Sequence, residues 1–448
     1  MVSKRTFLQV FSSAIAAPFL GRLSTALPGE SLTNWSGNIT YSTGHISEAS
    51  NIEEIRSHLR SENKLRVLGT RHCFNSIADS RYNLLSLKPM QEMALDPASR
   101  TVTVGAGVTY GRLGPYIDAK GFALANLASL PHISVAGACS TATHGSGEKN
   151  GNLASAVSGL ELVTAAGEVV KLSRESNPAE LQAAVVGLGA LGVITRVTLN
   201  VQPTYQVRQY VYQDLPLRQM QDHFEDIQAS GYSVSLFTDW RGKKVSELWI
   251  KCRIGDGRPF SAPQELFGAK LAHRNLHPIA GLSAENCTEQ MGVPGPWYDR
   301  LPHFRMGFTP SAGKELQTEY LLPRQHAVEA ILAVERLQDQ VSPHLLISEI
   351  RTIAADDLWM SMAYKRPSLA IHFTWKPETP AVMNLLPQIE AKLAPFQARP
   401  HWGKVYSMNI SQIQPLYPRI DDFRALTREF DPKGKFRNKY IHDHIETA

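Results

Sequence analysis

The sequence predicts an α+β fold in two domains, the second built on a large mixed or antiparallel sheet. Three observations carry that expectation. The chain has 448 residues, about three times the usual allowance for one domain. Up to Pro203 short helical and strand-like stretches alternate; beyond it the strands lengthen and stand between helices. With 43% hydrophobic and 19% charged residues and no low-complexity tract, the composition is that of a globular protein able to bury large cores.

Taken in order, Ile52, Ile55 and Leu59 fall at helical spacing, and Leu65 to Leu68 form a short apolar strand ending at Gly69. Thr101 to Val104 reads as a strand that passes through glycines into a helix ending near Lys120, with Gly121 as its stop. Leu160 to Val163 and Val169 to Leu172, joined through Ala165-Ala166-Gly167, read as a hairpin. The run Gly187-Leu188-Gly189-Ala190-Leu191-Gly192 matches the dinucleotide fingerprint, which works only between a strand and the helix whose amino terminus receives the pyrophosphate. Here the helix-like Pro178 to Val186 precedes it and the β-rich Val193 to Leu199 follows, while Arg208 and Gln209 stand where an acid is needed. A nicotinamide site is therefore rejected. Helices at about 217–228 and 325–340 separate the later strands, and 255–307 is rich in loops. The expected division is a first domain over 30–205, a second over 206–404, and a segment, 405–448, returning to the first.

The 46 basic and 41 acidic residues give a net charge of +5, but Lys4, Arg5 and Arg22 lie in an acid-free stretch of 26 residues. Without that stretch 43 basic residues face 41 acidic ones, which leaves no footprint for nucleic acid. Cys73, Cys139, Cys252 and Cys287 are too few and too scattered for a disulfide framework or a Cys-x-x-Cys metal site. Residues 3 to 8 read Ser-Lys-Arg-Thr-Phe-Leu, followed by a mildly apolar stretch to Gly21 and small residues at Ser24-Thr25-Ala26. This resembles a twin-arginine export signal over 1–26, with Lys4 in place of the first arginine, and implies a periplasmic or secreted protein, or a cytoplasmic one if the signal does not function. An amphipathic first helix is the other reading. The 16 residues between Arg5 and Arg22 fall short of the roughly 20 apolar residues that span a bilayer, and no membrane span is expected elsewhere.

Four constellations carry chemistry. In Val67-Leu68-Gly69-Thr70-Arg71-His72-Cys73-Phe74-Asn75 a strand turns through small and polar residues, exposing backbone N–H groups that can cradle phosphate. The run from Leu127 to Gly147 holds Ser129, Ser134, Gly137, Thr141, Ala142, Thr143 and His144, which suit ligand contact better than core packing. His132 and His144 lack acidic or thiol partners at ligand spacing, so no metal is expected. In Leu345 to Thr352 the period of two puts Glu349 and Arg351 on one face, and in Leu369 to Trp375 it puts His372 and Thr374 on one face, opposite Ile371, Phe373 and Trp375. On residue pattern alone these pairs fit a solvated face as well as a binding site. The fourth is Arg399-Pro400-His401-Trp402-Gly403-Lys404.

Together these stretches resemble the vanillyl-alcohol oxidase (PCMH-type) family of FAD-linked oxidoreductases, within it the alditol oxidases and the sugar-1,4-lactone oxidases. The family pattern Gly-x-Arg/Gly-His-Ser/Cys-Phe-Asn matches Gly69 to Asn75 and implies FAD bound covalently, 8α-histidyl, through His72. The resemblance implies further cofactor contacts from Val67, Leu68, Gly69, Thr70, Arg71, Cys73, Ser129, Ser134, Gly137, Thr141, Ala142, Thr143, His144, Val193, Thr374 and His401. It implies a substrate pocket of Ser129, Gln317, Glu349, Arg351, His372, Thr374 and Lys404, with Arg351, Lys404 and Glu349 in catalysis. The fourth constellation is similar to a sugar-oxidase signature, and Phe430 to Asn438 to the family's closing segment. The activity implied is oxidation of the primary alcohol of a polyol, such as xylitol or sorbitol, to the aldose, with oxygen reduced to hydrogen peroxide and Ala128 gating oxygen. The partners implied are a small polyol and oxygen, acting on a monomer. An L-gulono- or galactono-1,4-lactone oxidase or dehydrogenase is the alternative, and a non-catalytic carbohydrate-binding relative the second.

Overall fold

A computed structural model describes residues 31–257 and 260–446. The export signal expected over 1–26 lies outside the described residues. A parallel three-stranded sheet orders Ile46–Glu48, Asn83–Ser86 and Leu65–Leu68 side by side. The helix Ile52–Ser61 starts where the Asn51 side chain accepts from Glu54 N–H and buries Ile55 and Leu59 against this sheet. A second sheet of five antiparallel strands runs Met93–Asp96, Thr101–Gly105, Val193–Asn200, Val157–Val163 and Val169–Ser173. The last two form the expected hairpin, with Val163 opposite Val169.

The glycine run at 187–192 is a packing loop. Leu188 and Gly189 take positive φ of 53° and 67°, and the buried Arg66 guanidinium donates to Leu188 O (2.9 Å), Gly189 O (2.8 Å), Phe436 O (2.7 Å) and Ile77 O. Arg66 thereby ties the first sheet to the carboxy-terminal segment. Leu65 N–H donates to Lys435 O (3.0 Å), and the Asn438 amide donates to the carbonyls of Ser76, Ile77 and Asp79.

From Gln206 onward the strands join one ten-stranded sheet in which every pairing is antiparallel. Its central order is Gln206–Pro216, Lys244–Arg253, Ser233–Thr238, Leu345–Ile353, Ser368–Trp375 and Leu316–Pro323. Ala327–Glu335 and Thr379–Leu393 cover one face, burying Leu236, Ile350, Ile371, Phe373 and Trp375 among Ile331, Leu386 and Ile389. The helix expected at 217–228 is two, Leu217–Asp222 and Phe224–Gln228, because His223 leaves helical geometry at φ −127°. The one at 325–340 likewise divides into Ala327–Glu335 and Gln338–Val341. No helix among the described residues is long and apolar enough to cross a membrane. All four cysteines are free.

Candidate active site

Register assembles the site. Glu319 lies opposite His372, which lies opposite Glu349, and Gln317 and Ile347 flank Thr374 in the same way. Strand alternation turns Gln317, Glu319, Glu349, Arg351, His372 and Thr374 to the sheet face away from the two covering helices, and all six are buried. Glu319 is the hub. Its carboxylate takes Arg351 Nη2 at 2.5 Å, His144 Nε2 at 3.2 Å and His372 Nδ1 at 3.5 Å. Burial works to raise the Glu319 pKa, but His144, Arg351 and His372 override it and hold the carboxyl well below the usual range. Glu349 behaves alike: burial opposes ionisation, while Arg351 and His303, whose Nε2 sits 2.8 Å from Oε1, keep it ionised. For Arg351, burial is overcome by Glu349 and Glu319, which raise its pKa. The tighter acid partner of Arg351 is Glu319; its neighbour in the sequence pattern, Glu349, stands 3.6 Å from Nε. Arg351 Nη1 also donates to Ser129 Oγ at 3.3 Å, which brings the loop 125–134 onto the sheet. His372 and Thr374 meet each other at 3.2 Å.

Lys404 enters from a loop that extends the sheet edge: His401 N–H donates to Glu319 O and Val405 N–H to Gln317 O, both at 2.9 Å. Lys404 Nζ donates to Gln317 Oε1, Gln317 donates onward to Glu315 Oε1, and Nζ lies 4.8 Å from the Phe74 ring centre. Burial, reinforced by Arg351, lowers the Lys404 pKa. His401 accepts from Gly403 N–H at Nδ1 (3.0 Å), and burial holds it neutral. This loop is sewn to the one carrying His72. Phe74 N–H donates to Gly403 O (2.8 Å), and the Asn75 amide to Trp402 O (2.8 Å) and Lys404 O (2.7 Å).

Whether FAD fits can be judged from His72 and its surroundings. Its ring stacks on Trp35 with centroids 5.1 Å apart, and both ring nitrogens are buried without a hydrogen bond of normal geometry. Burial, with His132 and Lys404 nearby, lowers its pKa to about 3, which favours the neutral ring. A Cβ on Gly69 or Gly137 would meet Ser134 Oγ at 3.2 or 2.8 Å, so backbone lines this cradle where side chains would fill it. These residues fit the cofactor. The remaining expected contacts divide. Leu68 packs with Leu32, Tyr41 and Leu84, and Val67 and Val193 join the core around Ile55, so these three have only backbone to offer. Arg71, at φ 62°, donates to Thr33 O at 3.0 Å. Thr70 Oγ1 accepts from Ser134 N–H (3.3 Å), Thr141 and Thr143 hydroxyls meet at 3.1 Å, Ala142 takes φ 53°, and His144 Nδ1 donates to Gly145 O (2.9 Å). The Cys73 thiol, pushed up to about 11 by burial, faces Gly403.

Three contributors escape the sequence reading. Glu319 was within reach, two residues beyond Gln317 on one strand face. Lys251 and His303, which stand behind Glu349, carry no local signal. No group of three or more His, Cys, Asp or Glu among the described residues could hold a metal ion.

Residues 45–173 match the FAD binding domain family and residues 310–444 the D-arabinono-1,4-lactone oxidase family. The chain is 46% identical over 421 residues to alditol oxidase from a Streptomyces species, covering 93% of this chain and 99% of that one. It is 26% identical to L-gulono-1,4-lactone dehydrogenase from Mycobacterium tuberculosis over 91% of this chain and 97% of that one. Among solved structures, cholesterol oxidase from B. sterolicum superposes with a TM-score of 0.75 at 15% identity, covering 92% of this chain and 96% of that one. Xylooligosaccharide oxidase from Myceliophthora thermophila superposes at 0.70 and 13% identity, covering 93% and 94%. Both share this fold.

Proposed function

The chain belongs to the alditol oxidase family of FAD-linked oxidoreductases, and we propose that it oxidises the primary alcohol of a polyol, of the xylitol or sorbitol class, to the aldose. His72 would hold FAD covalently, and the bound flavin would supply the hydride acceptor, with oxygen as the final oxidant reduced to hydrogen peroxide. The observation that carries the reading is the buried polar face formed by Gln317, Glu319, Glu349, Arg351, His372 and Thr374, with Lys404 at its edge and His72 on the loop sewn to Lys404.

The protein's own task is to orient the alcohol and manage its proton and charge. Its carboxylates and hydroxyls match a chain of hydroxyls, and a site built to pair hydroxyls rejects analogues lacking them. Glu349 accepts from one hydroxyl, and Gln317, His372, Thr374 and Ser129 pair with others. Burial lowers the Lys404 pKa, which favours the neutral amine that takes the hydroxyl proton as the hydride leaves. Once protonated, it stands with Arg351 as a fixed positive field for the negative charge developing on the alcohol oxygen.

The test is anaerobic mixing of purified holoprotein with xylitol, sorbitol, glycerol and L-gulono-1,4-lactone, followed by oxygen uptake. Xylitol or sorbitol should bleach the flavin fastest, and oxygen should restore it with one peroxide per aldose. Bleaching by the lactone alone would replace this reading with a lactone oxidase or dehydrogenase. Flavin should stay with the denatured chain and be released or lost in His72→Ala; complete release from wild type by acid would remove the covalent link.

A further inference from the structure

The polyol reading leaves unused a buried pair behind the pocket. Lys251 is 1% exposed. Its Nζ donates to Leu301 O, to Pro302 O at 3.2 Å and to His303 Nδ1 at 3.0 Å. Three acceptors use all three N–H bonds of an ammonium group. Because Nδ1 of His303 accepts, its single proton lies on Nε2, which points at Glu349 Oε1 (2.8 Å). The ring stands edge-on to Phe237 and Trp249, with centroids at 5.4 and 5.2 Å, so it is held against rotation. Arg351 Nε also approaches Oε1, and neither contact falls on Oε2. The backbone N–H groups of His303 and Phe304 donate to Ser129 O at 2.8 and 3.1 Å, so the same turn sets the height of Ser129, whose hydroxyl receives Arg351.

We infer that Lys251 and His303 form a relay that occupies Oε1 of Glu349 and thereby presents Oε2 to a substrate hydroxyl, which makes both of them positioning residues for polyol binding. The inference rests on the polyol reading above. The groups facing Lys251 are His303, Glu349, Arg351 and the Cys287 thiol, with Glu247 on its own strand and Gln209 and Ser233 opposite it in register. Burial pushes Lys251 down to about 7. Above that pH the amine has two protons for Leu301 O, Pro302 O and His303 Nδ1, so the lock on His303 weakens. Lys404 is also buried and lowered, so the comparison of interest is between wild type and a variant that cannot titrate at position 251.

The experiment is anaerobic flavin reduction of the holoenzyme as a function of xylitol concentration, from pH 6 to pH 9. Losing a hydrogen bond that orients a charged acceptor should raise the half-saturating xylitol concentration about tenfold in Lys251→Met and His303→Ala. The limiting rate should stay within about threefold, as expected when an interaction common to ground and transition states is lost. His303→Gln, which can return an N–H donor to Oε1, should recover most of the affinity. In wild type the half-saturating concentration should climb above pH 7, and in Lys251→Met that climb should be missing. A wild-type profile flat across pH 7 overturns the relay whether or not any variant folds. So does half-saturation within twofold of wild type in both Lys251→Met and His303→Ala, or a His303→Gln variant no better than His303→Ala. If no polyol reduces wild type at all, it is the proposed function that has failed.

Discussion

The two faces of the ten-stranded sheet are built from alternate residues of the same strands, and both are buried. On one, Ile350, Ile371, Phe373 and Trp375 pack under helices, with Phe373 and Trp375 stacked at 5.0 Å. On the other, Glu319, Glu349, Arg351 and His372 are equally hidden but held apart in fixed hydrogen-bonded positions. The apolar face stabilises by leaving water and tolerates volume-conserving change. The polar face gains little net stability, because removing charges from water offsets their mutual attraction. What it secures is orientation: two carboxylates, the Arg351 guanidinium and the His372 imidazole are held in place before any substrate arrives. Stability and chemistry are thus divided between alternate positions of each strand.

That division can be broken from either side. The largest effect belongs to Lys404→Met, which should slow anaerobic flavin reduction by about 100- to 1,000-fold, the usual result of removing an oriented donor to developing negative charge. Thermal stability should change little, because Lys404 is paired with the neutral Gln317. Arg351→Met should show a comparable rate loss but also cost about 3 to 5 kcal/mol of stability, since it strands Glu319 and Glu349 as buried charges. A stable Arg351→Met protein would show that the carboxylates share a proton once the guanidinium is gone. Phe373→Ala should act from the other face, destabilising by about 3 to 5 kcal/mol while the folded fraction reduces its flavin at the wild-type rate. Denaturant titration against stopped-flow reduction separates the three.

The smallest and most gradual effect is acid sensitivity. His303 and His277 are lowered to about 4, with burial the leading cause in each. These rings are neutral when folded and take up protons near pH 6.5 when unfolded. The unfolded chain therefore binds more protons between about pH 6.5 and 4, so their contribution to stability is complete above that window and is lost as the pH falls through it. Denaturation midpoints measured from pH 7 to pH 4 should decline steadily. A midpoint unchanged to pH 5 would mean that these histidines are reached by water.

Much of the fold was legible because it is written in local periodicity. The strands Leu65–Leu68, Val169–Ser173 and Leu345–Ile353 and the stop at Gly121, with φ 84°, follow from spacing and glycine placement. The pairing of Glu349 with Arg351 on one face and of His372 with Thr374 on the next follows from the period of two. The helix break at His223 did not announce itself, since Met220, Phe224 and Ile227 keep their buried spacing across it.

By itself, then, the sequence determined which residues share a strand face and, through the resemblance around His72 and Lys404, the class of cofactor. Only the tertiary structure decided who pairs with whom. Arg351 turns to Glu319, 32 residues away, more closely than to Glu349 beside it. Lys251 reaches His303 across 52 residues, and Arg66 reaches Phe436 across 370. Periodicity acts over one strand or one helical turn, whereas these contacts depend on register between strands and on where loops close. A buried charge has no way to be satisfied until that register brings its partner within about 3 Å.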